Sequence, residues 1–237
     1  MKLKVCVAGI SGWAGLALSK GIVQQDDLEL VCGVSRGYAG KNTTPLLGTE
    51  VPVYTDVRTA VASHQCDVLV EYTKPETALF NIETAIAKGL NVVIGTSGLS
   101  DENYEQIRKQ ADEAQVSVLA VGNFALTVVL LQKFSEMAAK YITNFEIIDY
   151  ASAAKIDCPS GSVRELASKL GAIQESTLNH ELDAIVGAKE TRGARINGVQ
   201  VHSVRLPGHV IGIETIFGLN DEKLTLRHDA GSSAEPY

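Results

Sequence analysis

The feature that most constrains the fold is a glycine-rich turn close to the N-terminus. Gly9-Ile10-Ser11-Gly12-Trp13-Ala14-Gly15 follows a short apolar run at residues 4–8, and a helix-like stretch continues from it to about residue 23. The same order of strand and helix recurs along the first half of the chain. This alternation predicts a parallel sheet covered by helices on both faces. The later strand-like runs lie at residues 28–34, 67–72, 91–94 and 116–120.

The pattern changes after Asn123, because strands come to dominate the end of the chain. Helices followed by strands predict an α+β arrangement with a mostly antiparallel sheet. We therefore expect an α/β protein with a Rossmann-type domain over residues 1–125 and a smaller α+β domain over residues 126–237. The segments of the second half are helices over about 126–141 and 162–170 and strands at about 145–150, 200–205, 210–217 and 223–228.

Composition and charge narrow the possible functions. The 237 residues carry a net charge of −7, which argues against a broad surface for nucleic acid. No apolar run reaches the roughly 18 residues of a membrane helix, and the N-terminus lacks the features of a signal peptide. The histidines are scattered and no cysteines form a CxxC pair, so we expect no metal site and reduced thiols in a cytoplasmic protein. The cysteines are Cys6, Cys32, Cys66 and Cys158.

The glycine-rich turn has the position of a dinucleotide-binding turn. A tight connection between the first strand and the first helix presents backbone N–H groups and the positive helix end to a pyrophosphate. The spacing is GxxGxxG, a variant of the GxGxxG fingerprint, and a turn that serves only packing is the alternative. The cofactor-binding residues predicted from this turn are Gly9, Ser11, Gly12, Trp13 and Ala14.

The end of the second strand suggests which cofactor is bound. An NAD-selective site favours an acidic residue here, whereas this chain has Ser35 and Arg36. A hydroxyl and a guanidinium suit the 2′-phosphate of NADPH. We therefore expect NADPH, with NADH possible; the alternative is that Arg36 is only a solvated loop residue.

Two further turns follow strands on the side where such sheets bind ligands. Tyr72 and Thr73 lie at the end of the strand at 67–72, where Tyr72 can face the nicotinamide or ribose. Gly95, Thr96 and Ser97 follow the next strand and offer small residues, backbone donors and hydroxyls. Either turn alone can be structural, but with the glycine-rich turn they form a consistent set of cofactor contacts.

Taken together, these motifs resemble the 4-hydroxy-tetrahydrodipicolinate reductase (dihydrodipicolinate reductase) family of the lysine and diaminopimelate pathway. The resemblance extends over nearly the whole chain, and its most specific part is the segment from Lys155 to Ser162. The matching segments are residues 7–15, Glu71-Tyr72-Thr73-Lys74-Pro75, Gly95-Thr96-Ser97-Gly98, Asn123-Phe124, Lys155-Ile156-Asp157-Cys158-Pro159-Ser160-Gly161-Ser162, residues 202–208 and Arg227-His228-Asp229.

The resemblance implies an NAD(P)H-binding first domain, a second domain that binds a small cyclic carboxylate and forms a homotetramer, and closure on a hinge. Gly122 and Phe124 join the cofactor residues. Lys155 matches the family's proton donor. Ser160, Gly161 and Ser162 match its substrate carboxylate loop, with Ser162 in place of the usual threonine.

The residues themselves are compatible with this chemistry. Ser160, Gly161 and Ser162 immediately precede a predicted helix, so hydroxyls, N–H groups and the helix end can hold a carboxylate. Lys155 lies close in sequence, and its ammonium can supply a proton after hydride transfer. The alternative is that a serine merely caps the helix while Lys155 is solvated.

Several positions depart from the family pattern. Ala151 and Ser152 stand where the family usually has two adjacent histidines, and Ser152 cannot carry positive charge or shuttle a proton near neutral pH. Glu71 replaces the usual aspartate, and Ala125-Leu126-Thr127 replaces a segment with serine and glycine. Family members usually continue beyond Pro236-Tyr237 into a helix, so we expect either a truncated sequence or a naturally shortened protein.

Three functions remain open from the sequence. The first is the family reaction, in which Lys155 and Ser152 act without the histidine pair. The second is reduction of a different cyclic imine or enamine acid. The third is a catalytically silent NAD(P)-binding protein, against which the retention of Lys155 beside the carboxylate loop argues.

Overall fold

The chain forms two compact units in a computed structural model that describes residues 2–180 and 182–234. The first unit reaches Gly122 and the second begins at Asn123. The first unit alternates strands and helices as the sequence predicts. Its elements are β1 (Leu3–Ala8), α1 (Trp13–Val23), β2 (Leu28–Val34), α2 (Thr44–Leu47), β3 (Val53–Tyr54), α3 (Val57–Ser63), β4 (Val68–Glu71), α4 (Pro75–Ala87), β5 (Asn91–Ile94), α5 (Asp101–Ala114) and β6 (Val118–Ala120).

The first unit is built on a six-stranded sheet with the order β3-β2-β1-β4-β5-β6, in which all pairings are parallel. Apolar clusters pack on it because its central strands are near-continuous apolar runs; one cluster includes Leu69 and Ile82 and another includes Val7 and Ile22. The strand order reverses between β1 and β4. Parallel sheets bind ligands at the carboxyl ends of the strands beside such a reversal, which here is where Gly9 and Tyr72 follow their strands.

The second unit is a five-stranded mixed sheet with the order β11-β10-β7-β9-β8. Only the β7–β9 pairing is parallel among the described residues, which agrees with the mostly antiparallel sheet expected from the sequence. On β7 the buried residues alternate, with Phe145, Ile147 and Asp149 on one face. The elements are α6 (Leu126–Ala139), β7 (Phe145–Ala151), α7 (Gly161–Ile173), two 3₁₀ turns (Leu182–Ala184 and Lys189–Arg192), β8 (Ala194–Ile196), β9 (Val199–Arg205), β10 (Ile211–Leu219) and β11 (Glu222–Ala230).

Two elements differ from the sequence prediction. The hairpin between β8 and β9 was not expected, although Asn197 and Gly198 form its two-residue loop with φ of 48° and 77°. Asn-Gly is the preferred pair for such a turn because both positions need positive φ. Helix α2 was also missed, since four residues are too few to show a helical period. The end of the chain, Pro236-Tyr237, lies outside the described residues.

No helix among residues 2–180 and 182–234 is long and apolar enough to cross a membrane.

Two glycines of α1 should respond to alanine in opposite ways. A Cβ on Gly15 would lie 2.1 Å from the Gly9 carbonyl oxygen, whereas a Cβ on Gly21 meets nothing within 4 Å. Gly15→Ala should therefore lower the free energy of unfolding by about 1–3 kcal/mol, while Gly21→Ala should raise it by up to about 1 kcal/mol. Urea unfolding followed by fluorescence of Trp13, the single tryptophan, measures both. Equal effects would contradict the tight approach of α1 to the turn.

Candidate active site

The glycine-rich turn is held against the end of β4. Gly9 has φ of 89°, and a Cβ there would lie 2.2 Å from the Tyr72 carbonyl oxygen. Gly12 is the N-cap residue of α1, where no side chain caps the helix and no acidic residue occupies the first turn. The turn therefore leaves the positive helix end without a compensating side chain, as an anion-binding turn requires.

A cleft of about 610 Å³ lies along the carboxyl ends of β1, β2 and β4 within the first unit. It brings together seven of the predicted cofactor residues, and it also includes residues that the sequence analysis did not select. The predicted residues are Gly9, Ser11, Gly12, Ser35, Arg36, Tyr72 and Thr73; the others include Thr55, Asp56, Lys74 and Glu76. Lys74 belongs to the Glu71–Pro75 motif, and a basic residue in a motif at the end of a strand is the sequence signal that could have identified it.

The cleft has its cationic groups beside the β2 end and the α4 start. Ser11 Oγ and Ser35 Oγ are 2.7 Å apart, which joins the glycine-rich turn to the end of β2. Arg36 and Lys74 are exposed, and neither forms an ion pair with the described residues. Two unpaired cations beside a helix start can bind the phosphates of a dinucleotide.

A buried carboxylate organises the far side of the cleft. Glu71 has no exposed surface, and its Oε1 accepts hydrogen bonds from the Thr73 N–H (2.8 Å) and the hydroxyls of Thr73 and Thr96 (3.3 Å for Thr96). Its Oε2 accepts a hydrogen bond from Asn81 Nδ2 at 2.9 Å. Burial raises the pKa of Glu71 above its usual value, although these hydrogen bonds oppose the shift. Glu71 thus joins the turns after β4 and β5 to helix α4.

The Tyr72 ring packs directly on the backbone of Gly95. A Cβ on Gly95 would lie 2.1 Å from Tyr72 Cζ, so only glycine leaves room for the ring. The sequence predicts that both residues contact the cofactor, but it does not reveal that one supports the other. Of this pair, Tyr72 lines the cleft, and burial raises the pKa of its phenol.

The remaining predicted cofactor residues do not line this cleft. Thr96 is buried, and its hydroxyl donates a hydrogen bond to Glu71. Ala14 lies half-buried in the first turn of α1, and Trp13, Ser97 and Gly122 are exposed. Phe124 belongs to the second unit.

In the second unit, the predicted carboxylate loop is supported by a buried ion pair. Asp149 on β7 is fully buried, and its Oδ2 lies 2.7 Å from Arg205 Nη2. The same oxygen accepts a hydrogen bond from the Ser160 N–H at 2.8 Å, and Arg205 donates to the Asp157 carbonyl at 2.7 Å. The pair therefore fixes both ends of residues 157–160. In the sequence, the signal for this support is an acidic residue at an inward position of an alternating strand.

The three loop residues lie at the start of α7. Ser160 is the N-cap residue, but its hydroxyl makes no capping hydrogen bond and is buried without a partner among the described residues. Gly161 begins the helix, and Ser162 Oγ accepts a hydrogen bond from Asn123 Nδ2 at 2.8 Å. The alternative that the Ser160 side chain merely caps the helix is thus not supported by the geometry.

Lys155 and Ser152 lie in the preceding turn. Lys155 Nζ is 2.8 Å from Asp157 Oδ1, and this contact lowers the pKa of Asp157. Ser152 Oγ accepts a hydrogen bond from the Ala154 N–H at 3.3 Å. No hydrogen bond among the described residues joins Lys155 to the loop at 160–162, so the convergence of the ammonium and the loop remains a prediction.

A search of residues 2–180 and 182–234 finds no group of three or more His, Cys, Asp or Glu side chains that could hold a metal ion.

Comparison with known families matches both units. The family model described as "Dihydrodipicolinate reductase, N-terminus" matches residues 3–124, and the model "Dihydrodipicolinate reductase, C-terminus" matches residues 127–235.

Relatives match over nearly the whole length. A 4-hydroxy-tetrahydrodipicolinate reductase of Geobacillus kaustophilus (strain HTA426) is 36% identical, with 97% of this chain and 88% of the relative covered. The structure of dipicolinate-bound dihydrodipicolinate reductase from Paenisporosarcina sp. TG-14 is 26% identical with a TM-score of 0.83, covering 100% of this chain and 91% of that chain. GenD2 from gentamicin A biosynthesis, in complex with NAD, shares the fold at 16% identity, with a TM-score of 0.66 and coverage of 95% and 72%.

The fold, the cleft and these relatives define an oxidoreductase of the dinucleotide-binding class. Within that class, the chain belongs to the dihydrodipicolinate reductase family. This confirms the resemblance seen in the sequence.

Replacement of Glu71 should test its role in the cleft. Glu71→Ala leaves the Thr73 N–H and the Asn81 amide buried without an acceptor, so we expect the free energy of unfolding to fall by about 2–4 kcal/mol. Glu71→Gln keeps one acceptor for Thr73 and should cost less. Glu29→Gln, at an exposed position on β2, is the control. Similar losses in all three variants, measured by urea unfolding, would contradict the network.

The raised pKa of Glu71 also predicts a pH dependence. The folded state binds the Glu71 proton more tightly than the unfolded state, whose pKa is near 4.5. The resulting stabilisation is fully present below pH 4.5 and is lost as the pH rises through the folded-state pKa. As the pH rises through that window, the unfolding free energy of wild type should therefore fall relative to that of Glu71→Gln. A pH-independent difference would mean that burial does not perturb this carboxyl.

Proposed function

We propose that this chain is an NADPH-dependent 4-hydroxy-tetrahydrodipicolinate reductase, and that it carries out the family reaction without a histidine pair. The observation that carries the proposal is the Ser160 hydroxyl, which is buried at the start of α7 without a partner in residues 2–180 and 182–234. A buried hydroxyl lacking a partner is unfavourable unless a ligand or a water supplies one. The substrates implied by the relatives carry carboxylates, which are suitable acceptors.

The first unit fits a dinucleotide. The approach of Gly9 to the Tyr72 carbonyl and the uncapped start of α1 form the cradle for a pyrophosphate. Arg36 would hold the 2′-phosphate of NADPH, and Tyr72 and Thr73 would border the nicotinamide. When bound, the reduced nicotinamide supplies the hydride. The backbone of the glycine-rich turn and the Glu71 network keep these binding groups in place before the cofactor arrives.

The second unit would hold the substrate. Ser160, Gly161 and Ser162 would bind a carboxylate through hydroxyls, N–H groups and the positive end of α7. Lys155 would deliver the proton that completes the reduction, as the family resemblance implies, and it would leave Asp157 to do so. Ser152 would contribute a hydroxyl only, so a positive charge near the substrate would come from Lys155 rather than from this position.

Two alternative functions each differ from the proposed one in a single respect. Reduction of another cyclic imine or enamine acid is favoured by Ala151 and Ser152, because a changed substrate would remove the need for histidine. A silent NAD(P)-binding protein would need the cleft but not Lys155.

The test of the proposed function is NADPH oxidation with 4-hydroxy-tetrahydrodipicolinate made in situ by its synthase. We expect turnover in wild type and a loss of about two to four orders of magnitude in Lys155→Ala, with NADPH affinity unchanged. Lys189→Ala is the matched control, because Lys189 also pairs with an aspartate of the second unit, Asp183. Equal losses in both lysine variants, or in NADPH affinity, would argue against proton donation by Lys155.

The variant Ser152→His separates the proposal from its alternatives. Wild-type turnover that histidine does not improve means that Lys155 and water suffice. Turnover only in Ser152→His would mean that the natural substrate differs. If neither wild type nor Ser152→His shows turnover although NADPH binds, other cyclic imine acids are screened next. If none of them is reduced, the silent NAD(P)-binding protein is the remaining alternative.

Cofactor preference is tested at Arg36. Arg36→Ala should weaken NADPH binding by about tenfold or more, since a charge-assisted hydrogen bond contributes roughly 1.5–3 kcal/mol. NADH lacks the 2′-phosphate, so its affinity should change little. Titration of both cofactors by fluorescence measures this. Equal weakening of the two would refute the 2′-phosphate contact, and Lys109→Ala, at an exposed lysine of α5 that does not line the cleft, serves as control.

We further propose a homotetramer assembled through the second sheet. The residues of β7 that face away from the buried side, such as Ile148 and Tyr150, are half-exposed, and Leu219 and Leu224 at the end of the β10–β11 hairpin are 51% and 42% exposed. Association would bury these apolar groups. The cytoplasm is the proposed compartment, because the four cysteines are free thiols.

A further inference from the structure

Three cysteines that are far apart in sequence meet in the first unit. Cys6 on β1 and Cys32 on β2 are register partners in the parallel sheet, and both are fully buried. Cys66 lies just before β4 and is half-buried. The Sγ atoms of Cys32 and Cys66 are 3.8 Å apart. None of the three lines the cofactor cleft, so the proposed reduction does not use them.

We propose that Cys32 and Cys66 form a reversible disulfide on exposure to a peroxide, which makes this pair a redox modification site. The two thiols are already in contact, and a disulfide requires the sulfur atoms to approach to about 2.05 Å. The difference of less than 2 Å is within reach of a shift of the irregular segment at 64–67, which follows α3. Cys66 lies outside the regular strands and helices, whereas Cys32 lies on β2, which is paired on both sides.

The partial exposure of Cys66 assigns the roles. Peroxide can reach Cys66, whereas Cys6 and Cys32 have no exposed surface. Hydrogen bonds from the Cys32 and Cys6 thiols lower the pKa of Cys66, and a thiolate is the form that attacks peroxide. Cys66 is therefore the peroxidatic thiol and Cys32 the resolving thiol.

The chemistry balances with hydrogen peroxide as the oxidant. The Cys66 thiolate attacks one peroxide oxygen, the O–O bond breaks, and with one proton taken up the products are Cys66 sulfenic acid and water. The Cys32 sulfur then attacks the Cys66 sulfur, and the hydroxyl leaves with the Cys32 proton as a second water. In sum, two thiols are oxidised by two electrons and one peroxide is reduced to two waters. A dithiol reductant reverses the cross-link by thiol–disulfide exchange.

The cross-link would also affect the cleft, and this part rests on the proposed function. Cys32 lies three positions before Ser35 on the same chain segment, and Ser35 borders the cofactor cleft. Strain transmitted along β2 would displace Ser35 from Ser11, whose hydroxyl lies 2.7 Å away. The oxidised protein should therefore bind NADPH several-fold more weakly than the reduced protein.

The cross-link is tested without any activity measurement. The full-length protein is treated with increasing hydrogen peroxide, blocked with N-ethylmaleimide, digested with trypsin without reductant, and analysed by mass spectrometry. Each cysteine falls in its own peptide: Cys6 in 5–20, Cys32 in 21–36, Cys66 in 59–88 and Cys158 in 156–164. We expect a 21–36/59–88 disulfide that dithiothreitol removes.

Variants identify the partners. The cross-link should be absent from Cys32→Ala and Cys66→Ala and retained in Cys6→Ala and Cys158→Ala, the latter being the control at an exposed thiol. Peptide 5–20 joined to either partner, Cys66 oxidised beyond sulfenic acid without a cross-link, or oxidation of Cys158 alone would each overturn the proposal. The wild-type result decides the matter even where a buried variant fails to fold.

The effect on the cleft is measured by NADPH titration of oxidised and reduced protein. Wild type should lose affinity on oxidation and regain it with dithiothreitol, whereas Cys66→Ala, which keeps Cys158, should not change. If the 21–36/59–88 disulfide forms and NADPH affinity is unaltered, the coupling to the cleft is refuted while the modification site stands. If reduced wild type binds no NADPH, the proposed function fails instead.

Discussion

The cleft of the first unit depends on one buried carboxylate. Glu71 is removed from water, which is costly for an ionised group, and four donors compensate for that cost. Those donors come from the turn after β4, the turn after β5 and helix α4, so the carboxylate fixes three segments relative to one another. The position of Tyr72 follows, because its ring can rest on Gly95 only while both turns are held.

The second unit uses the same physical device at its predicted substrate loop. Asp149 and Arg205 are a largely buried pair, and each also contacts the loop backbone: Asp149 Oδ2 accepts a hydrogen bond from the Ser160 N–H, and Arg205 donates one to the Asp157 carbonyl. A buried pair is weak evidence for stability, but it specifies geometry strictly, because an unpaired partner would be very unfavourable. Both candidate binding regions thus place flexible turns under the control of a buried charge.

The sequence was sufficient for the fold and for the position of the glycine-rich turn within it. Alternating strands and helices predict the parallel sheet. The turn is marked by Gly9, whose positive φ favours glycine over other residues. The supporting side chains were not predictable in the same way, because Glu71 and Asp149 obtain their partners from segments distant in sequence. A single carboxylate in an apolar strand signals that partners exist but not which residues they are. The hairpin at Asn197 and Gly198 was missed for a different reason, since its strand β8 has only three residues.

If Lys155 is the proton donor proposed above, Ala151 and Ser152 need not abolish the reaction. An ammonium beside a carboxylate, as in the Lys155–Asp157 pair, is held in position but remains half-exposed, so it keeps access to solvent protons. A buried catalytic acid needs a relay such as histidine to regain its proton, whereas an exposed one exchanges with water directly. In the proposed reaction, a histidine would then supply charge rather than a proton, and the positive end of α7 lies at Ser160. Ala151 and Ser152 should therefore affect substrate affinity more than the proton transfer itself.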